Sequence, residues 1–312
     1  MIKKNFVIGT RGSKLALWQA NYVKEALQNE FPNLNFEVIK IKTKGDKILD
    51  SPLFKIGSKG LFTKDIENAL IRKEIDFAVH SLKDLPTSID NRLKISAIIK
   101  RDDPRDVIIS KNNLRLAELP KNAKIATSSL RRKAQLLNFR NDFEIVDIRG
   151  NIDTRIRKFD ESNFDALILA KAGVVRMGYQ ERISEILSVE IMLPAAGQGA
   201  VAIEILKKNK LAEDIASILN DKETVLATYV ERSFLNHLGG GCQVPIGVLA
   251  QIDGNMIKVD GMIATIDGKR VIKGFLMGDI KDFKNLGKQL AEDILNRSGS
   301  EILESIRNKK RL

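Results

Sequence analysis

Short apolar runs that alternate with helical patterns constrain this chain more than any other feature. Runs at 6–9, 36–42, 76–79, 94–99, 106–110, 124–126, 144–148, 165–169 and 200–206 are apolar, and helical patterns at 14–29, 130–138, 154–159 and 172–177 follow four of them. A strand that feeds a helix comes back beside its predecessor in the same direction, because the crossover needs a dozen or more residues and the helix supplies them. The rhythm therefore predicts an α/β chain built on one or two largely parallel, doubly wound sheets. At 312 residues the chain exceeds what one core comfortably serves, so two or three domains are expected. From about residue 218 the pattern changes. A helix at 223–238 leads into a glycine-rich loop, and 245–252, 256–266 and 270–277 read as a three-stranded antiparallel meander with Asp253-Gly254 and Asp267-Gly268 as turns. An amphipathic helix at 283–297 would cover one face of that small sheet.

Ligands of open α/β sheets bind outside the carboxyl ends of the strands. Five such ends carry similar chemistry: Gly9-Thr10-Arg11-Gly12-Ser13-Lys14, His80-Ser81-Leu82-Lys83-Asp84, Ala126-Thr127-Ser128-Ser129-Leu130-Arg131-Arg132, Ile148-Arg149-Gly150-Asn151 with Arg155, and Leu169-Ala170-Lys171 with Arg176. Ser13 is placed as the N-cap of the helix that follows it. Helix N-termini offer free amide donors, and arginine adds a planar fork matched to carboxylates, so five recurrences describe a polyanion site. Asp84 is the odd member. A carboxylate among cations either handles protons and developing positive charge or braces a neighbouring arginine.

Lys and Arg number 52 against 40 Asp and Glu, a net charge of +12. Nucleic-acid binding would use that charge, but aromatics are only 5% and the basic residues are dispersed among sheet ends, so no nucleic-acid partner is expected. No stretch is apolar enough for a membrane span. A carboxylate-binding module would account for the arginines but not for the single cysteine, Cys242, in Gly239-Gly240-Gly241-Cys242-Gln243-Val244-Pro245. This bare backbone either holds a reactive thiol toward a cleft or carries an inert one. One cysteine excludes internal disulfides, and residues 1–9 run straight into a strand without a signal-peptide core, so a cytoplasmic protein is expected. His80 and His237 are too few and too far apart for a metal site, and structural roles are expected for both. The segment 55–64 reads as a flap or as an ordinary surface loop.

Taken in order, Arg11-Gly12-Ser13-Lys14-Leu15-Ala16-Leu17-Trp18-Gln19-Ala20, Lys59-Gly60-Leu61-Phe62, Val79-His80-Ser81-Leu82-Lys83-Asp84-Leu85-Pro86, Thr127-Ser128-Ser129-Leu130-Arg131-Arg132, Val146-Asp147-Ile148-Arg149-Gly150-Asn151, Leu193-Pro194-Ala195-Ala196-Gly197-Gln198-Gly199 and Gly240-Gly241-Cys242-Gln243-Val244-Pro245-Ile246-Gly247 closely resemble the porphobilinogen deaminase (hydroxymethylbilane synthase) family. The likeness runs to about residue 272, and its departures are small: Ser58 stands where the family often has glycine, and Gly239 adds a third glycine before the thiol.

The resemblance implies a transferase of porphyrin and haem biosynthesis. Its members join four porphobilinogen molecules head to tail, with loss of ammonia, onto a dipyrromethane cofactor held through a thioether at Cys242, and hydrolysis then releases hydroxymethylbilane. Each pyrrole carries an acetate and a propionate, which the cationic strand ends suit. Loss of ammonia leaves a cation that a buried carboxylate beside the pyrrole nitrogens would stabilise, the role the likeness gives Asp84. By the same likeness Ser81, Lys83, Asp84, Thr127, Ser129, Arg131 and Arg132 hold the cofactor, while Arg11, Ser13, Arg149, Arg155 and Arg176 hold porphobilinogen or the elongating polypyrrole. It further implies two lobes like those of periplasmic binding proteins, 1–99 with 200–217 and 100–199, plus a C-terminal α+β domain, 218–312, that carries the cysteine loop. A monomer is expected, since the charged surface offers no apolar interface legible in the sequence.

Overall fold

The computed structural model describes residues 4–43, 45, 60, 63–239 and 244–308. The first stretch holds β1 (Asn5–Arg11), α1 (Lys14–Glu30), β2 (Asn35–Ile41), α2 (Lys64–Ile71), β3 (Phe77–Ser81) and β4 (Leu93–Ile98). Next come β5 (Asp106–Ser110), β6 (Lys124–Ala126), α3 (Leu130–Phe139), β7 (Glu144–Val146), α4 (Ile152–Asp160), β8 (Ala166–Ala170), α5 (Lys171–Arg176) and β9 (Glu185–Ile186). The chain continues through β10 (Val201–Leu206), α6 (Lys210–Ser217), α7 (Lys222–His237), β11 (Ile246–Asp253), β12 (Met256–Ala264), β13 (Val271–Asp279), α8 (Phe283–Ile294) and α9 (Ser300–Asn308). It divides into two compact units, Met1–Asp102 with Gly199–Val225, and Asp103–Gln198 with Leu226–Leu312.

In the first unit the strand order is β2-β1-β3-β10-β4. β1 is parallel to β2 and β3, whereas β10 is antiparallel to both its neighbours. The second unit repeats the scheme as β7-β6-β8-β5-β9, with β6 parallel to β7 and β8 and with β5 antiparallel to β8 and β9. Each five-stranded sheet is thus parallel but for one strand, and that strand has a common cause. β5 and β10 are the first strands reached after the chain passes from one unit to the other, so no strand-helix-strand crossover dictates their direction. Gly199 sits at the return passage with φ +89°, and a Cβ there would stand 2.5 Å from the Asp102 carbonyl oxygen.

Helices pack on both faces of the first sheet, as doubly wound patterning predicts. Phe6, Phe36 and Phe77, with ring centroids 5.6–6.4 Å apart, pack with Ala20, Val23 and Leu27 of α1 and Ile215 of α6. Ile66, Ala69 and Leu70 of α2 cover the other face against Ala78 and Leu93. In the second unit Leu136 of α3 meets Ile108, Ile125 and Ile168 on one face, while Ile156 and Phe159 of α4 meet Val107, Leu167 and Leu169 on the other. The meander appears as expected, in the order β11-β12-β13 and antiparallel throughout. Val230 and Phe234 of α7, Leu290 and Ile294 of α8, and Ile302 and Ile306 of α9 bury one face of it. Ala134 and Leu193 pack on its Leu249, Met262 and Ala264, which ties this small sheet to α3 within the second unit.

The helices α7 and α8 approach each other at Gly287, where an added Cβ would run into the Val230 carbonyl oxygen and lie 2.8 Å from the Phe234 nitrogen. Backbone cannot yield as a flexible side chain does, so Gly287→Ala is expected to destabilise the protein by about 1–3 kcal/mol. Urea unfolding measures it, and a variant of unchanged stability would show that the two helices are not in close contact there.

Candidate functional site

At the carboxyl edge of the first sheet, β1 ends on Arg11 and the neighbouring parallel β3 ends on Ser81. The predicted cap forms: Ser13 Oγ accepts from the Ala16 backbone N–H at 3.3 Å, which satisfies one of the orphan donors of α1. Ser81 is held by Gln19, whose Nε2 donates to Ser81 Oγ at 3.0 Å, while the hydroxyl lies 3.1 Å from Gln19 Oε1. Gln19 is a polar residue on the buried face of α1, a break in helical periodicity that could have singled it out. A short 3-10 turn at Leu82–Asp84 follows β3. It buries Leu82 and Leu85 and leaves Lys83 and Asp84 exposed. Asp84, expected as a buried carboxylate, is therefore an exposed one that makes no hydrogen bond or ion pair among the described residues. His80 lies behind this turn, with Nε2 at an ion-pair distance of 3.3 Å from Glu204 Oε2, both side chains buried.

At the carboxyl edge of the second sheet the ends of β7, β6 and β8 are neighbours. They bring together the Thr127–Arg132 segment, Arg149 with Arg155, and the helix bearing Arg176, with all three of these later arginines half-buried. Arg155 Nε donates to the Gly150 carbonyl at 2.8 Å. Ser129 caps α3 by accepting from the Arg132 N–H at 3.4 Å, and Thr127 Oγ1 accepts from the Ser129 N–H at 3.2 Å. Each hydroxyl keeps its own proton for another acceptor. Ser128 bridges to the end of the neighbouring strand, donating to the Ile148 carbonyl at 2.8 Å and accepting from its N–H at 3.1 Å.

Arg131 and Arg132 are both 6% exposed and converge on one carboxylate that the sequence did not single out. Arg131 Nη1 donates to Asp106 Oδ2 at 2.7 Å and to the Leu193 carbonyl at 2.6 Å. Arg132 Nη2 donates to Asp106 Oδ1 at 2.8 Å, and its Nη1 to the Ile168 carbonyl at 2.9 Å. Gln198 Nε2 adds a bond to Asp106 Oδ1 at 2.9 Å. Asp106 opens β5, and only because that strand runs antiparallel to β8 does its first residue lie at the edge where the others end. Burial alone would raise the Asp106 carboxyl, but the charges and donors of Arg131 and Arg132 outweigh it and hold the group well below the usual carboxylate range. Burial pulls the Arg131 guanidinium below its usual value, against the opposing pull of Asp106. Nearby, Lys171 and Arg105 share Asp103, whose carboxyl they hold low against the burial that would raise it.

A further carboxylate fits this donor set. Two buried guanidiniums on one carboxylate leave one positive charge in excess, and Arg132 Nε is a buried donor without a hydrogen-bond partner. A buried unsatisfied N–H beside surplus positive charge suits a further carboxylate. Cys242 and residues 55–59, 61 and 62 of the segment 55–64 lie outside the described residues. Among the described residues no helix is long and apolar enough to cross a membrane.

Comparison with known proteins agrees with this chemistry. Residues 6–214 match the family model "Porphobilinogen deaminase, dipyromethane cofactor binding domain", and 225–296 match "Porphobilinogen deaminase, C-terminal domain". The porphobilinogen deaminase of Chlorobium phaeovibrioides is 50% identical over 310 residues, covering 98% of this chain and 99% of that protein. That of Carboxydothermus hydrogenoformans is 47% identical over 306 residues, 98% of each. Among solved structures, the periplasmic VFT2 domain of Bordetella pertussis BvgS aligns at a TM-score of 0.42 and 13% identity, covering 69% of this chain and 86% of that one. By its matches over nearly its full length, the chain belongs to the porphobilinogen deaminase family, transferases of tetrapyrrole biosynthesis that polymerise porphobilinogen with a dipyrromethane cofactor.

Proposed function

We propose that Cys242 carries the dipyrromethane through a thioether and that the two groups of strand-end residues divide the work of chain growth. When bound, the cofactor supplies an electron-rich pyrrole carbon as the primer for the first condensation. Thr127, Ser129, Arg131 and Arg132 hold its carboxylates, and the family likeness gives Ser81 and Lys83 the same task. The observation that carries this reading is the excess positive charge around Asp106, together with the buried, unpartnered Arg132 Nε. Arg11, Ser13, Arg149, Arg155 and Arg176 hold the acetate and propionate groups of incoming porphobilinogen and of the lengthening chain, since their guanidiniums and the capped start of α1 present donors at strand ends.

Asp84 works on the reacting atoms. Its exposed carboxylate, bound to no arginine among the described residues, is available to take the proton that the pyrrole carbon loses on bond formation, to pass that proton to a departing amine, and to balance the positive charge that the loss of ammonia leaves on the ring. The same reading takes the enzyme as a cytoplasmic monomer without nucleic-acid partners and treats 218–312 as a domain of its own. A lone cysteine that must remain a thiol until it is loaded suits a reducing compartment. The dispersal of basic residues among sheet ends, rather than along one stripe, argues against a nucleic-acid surface.

Intact-mass measurement of protein that turns over porphobilinogen is expected to show a chain heavier by two linked pyrrole units, a mass absent from an inactive Cys242→Ser variant. An unmodified but fully active Cys242→Ser chain would overturn the assignment. Asp84→Asn is expected to keep its stability within about 0.5 kcal/mol, because the side chain is exposed and unpaired among the described residues. Its turnover should fall by about two to four orders of magnitude while cofactor is retained. Turnover within a few-fold of the parent would remove Asp84 from the chemistry.

A further inference from the structure

Asp106 touches no group assigned to substrate, yet its geometry asks more than a structural explanation. It is fully buried, and both carboxylate oxygens are taken, Oδ2 by Arg131 Nη1, Oδ1 by Arg132 Nη2 and Gln198 Nε2. Each guanidinium is fixed a second time by a backbone carbonyl, of Leu193 for Arg131 and of Ile168 for Arg132. Arg132 is held through both terminal nitrogens and Arg131 by two bonds from Nη1, so the direction of the remaining N–H groups of each planar fork depends on where Asp106 stands. Without that carboxylate two neighbouring buried cations would repel each other and turn apart.

We propose that Asp106 is the positioning residue of the anion site: it holds Arg131 and Arg132 so that their uncommitted N–H groups, Arg132 Nε among them, receive one carboxylate. The proposal rests on the reading that these arginines hold the cofactor. It assigns Asp106 two separable tasks. Its charge neutralises one of two cations, so that the pair can be buried at all, and its location fixes their orientation. Asparagine removes the first, since an amide accepts from one guanidinium and aims its own NH2 at the other. Glutamate keeps the charge and removes the second, by moving the carboxylate one methylene along.

The test uses apoprotein of the full chain incubated with porphobilinogen, with intact mass followed over time and the folded fraction measured alongside by circular dichroism and urea unfolding. Asp106→Asn and Asp106→Glu, compared per folded molecule, are both expected to acquire cofactor on the order of a hundredfold more slowly than the parent, the scale of a misplacement near 1 Å. Arg131→Leu and Arg132→Leu should acquire none. If Asp106→Glu loads at the parental rate, charge alone suffices and the positioning role is overturned, whether or not the Asn variant folds. Normal loading by folded Asp106→Asn overturns it equally. If Arg131→Leu and Arg132→Leu themselves load normally, the reading beneath it fails, an outcome distinct from the other two.

Discussion

The sharing of one buried carboxylate by two guanidiniums organises the second unit. Burying an ion costs several kcal/mol even after the protein relaxes, and attraction to a partner returns that only when geometry and further hydrogen bonds are good. Here three ions are buried together, and Asp106 receives three donors. Apolar side chains of similar volume would stabilise the fold about as well. What they could not supply is the imbalance, two cations on one anion with a buried N–H left over, which makes this corner of the fold receptive to an acid. The cluster also sets local architecture, because it joins the start of α3, the first residue of β5 and the 193–198 segment, to which Gln135 adds a further bond at the Leu193 N–H.

Much of this was legible in the sequence because it depends on local rules. Alternating apolar runs gave the two sheets, and the Asp-Gly turns gave the meander. Ser13 could be placed as a cap because a hydroxyl just before an amphipathic run has one good use, whereas three successive hydroxyls left open which of Thr127, Ser128 and Ser129 caps α3. The odd strand in each sheet was not legible, because its direction follows from the chain passing between units and not from any residue in β5 or β10. Asp106 was missed for the same reason: read as part of a parallel strand, its first position would lie at the opposite edge from the arginines. Gln19 carried a visible signal, polarity on a buried helical face, whose meaning appears only once Ser81 is beside it.

The exposure of Asp84 follows from equally local physics. After β3 the chain turns tightly, and a three-residue turn can send only some of its side chains inward. Leu82 and Leu85 take the core because apolar burial favours them, and Lys83 and Asp84 are left outside. The sequence pattern Leu-Lys-Asp-Leu contains that outcome, which the expectation of a desolvated catalytic carboxylate overlooked.

Asp84 and Asp106 then illustrate how environment divides labour between identical side chains. Asp106 has no access to solvent, both of its oxygens are bonded, and Arg131 and Arg132 hold its carboxyl well below the usual range. Asp84 stands at the opposite extreme, solvated and bound to no cation among the described residues. The proton-transfer role proposed for Asp84 is compatible with that setting, because a tightly paired guanidinium would hold a carboxylate ionised throughout. The positioning role proposed for Asp106 requires the reverse, since any exchange of its partners would redirect the donors of both arginines. The two proposed tasks thus need opposite surroundings, and the two carboxylates have them.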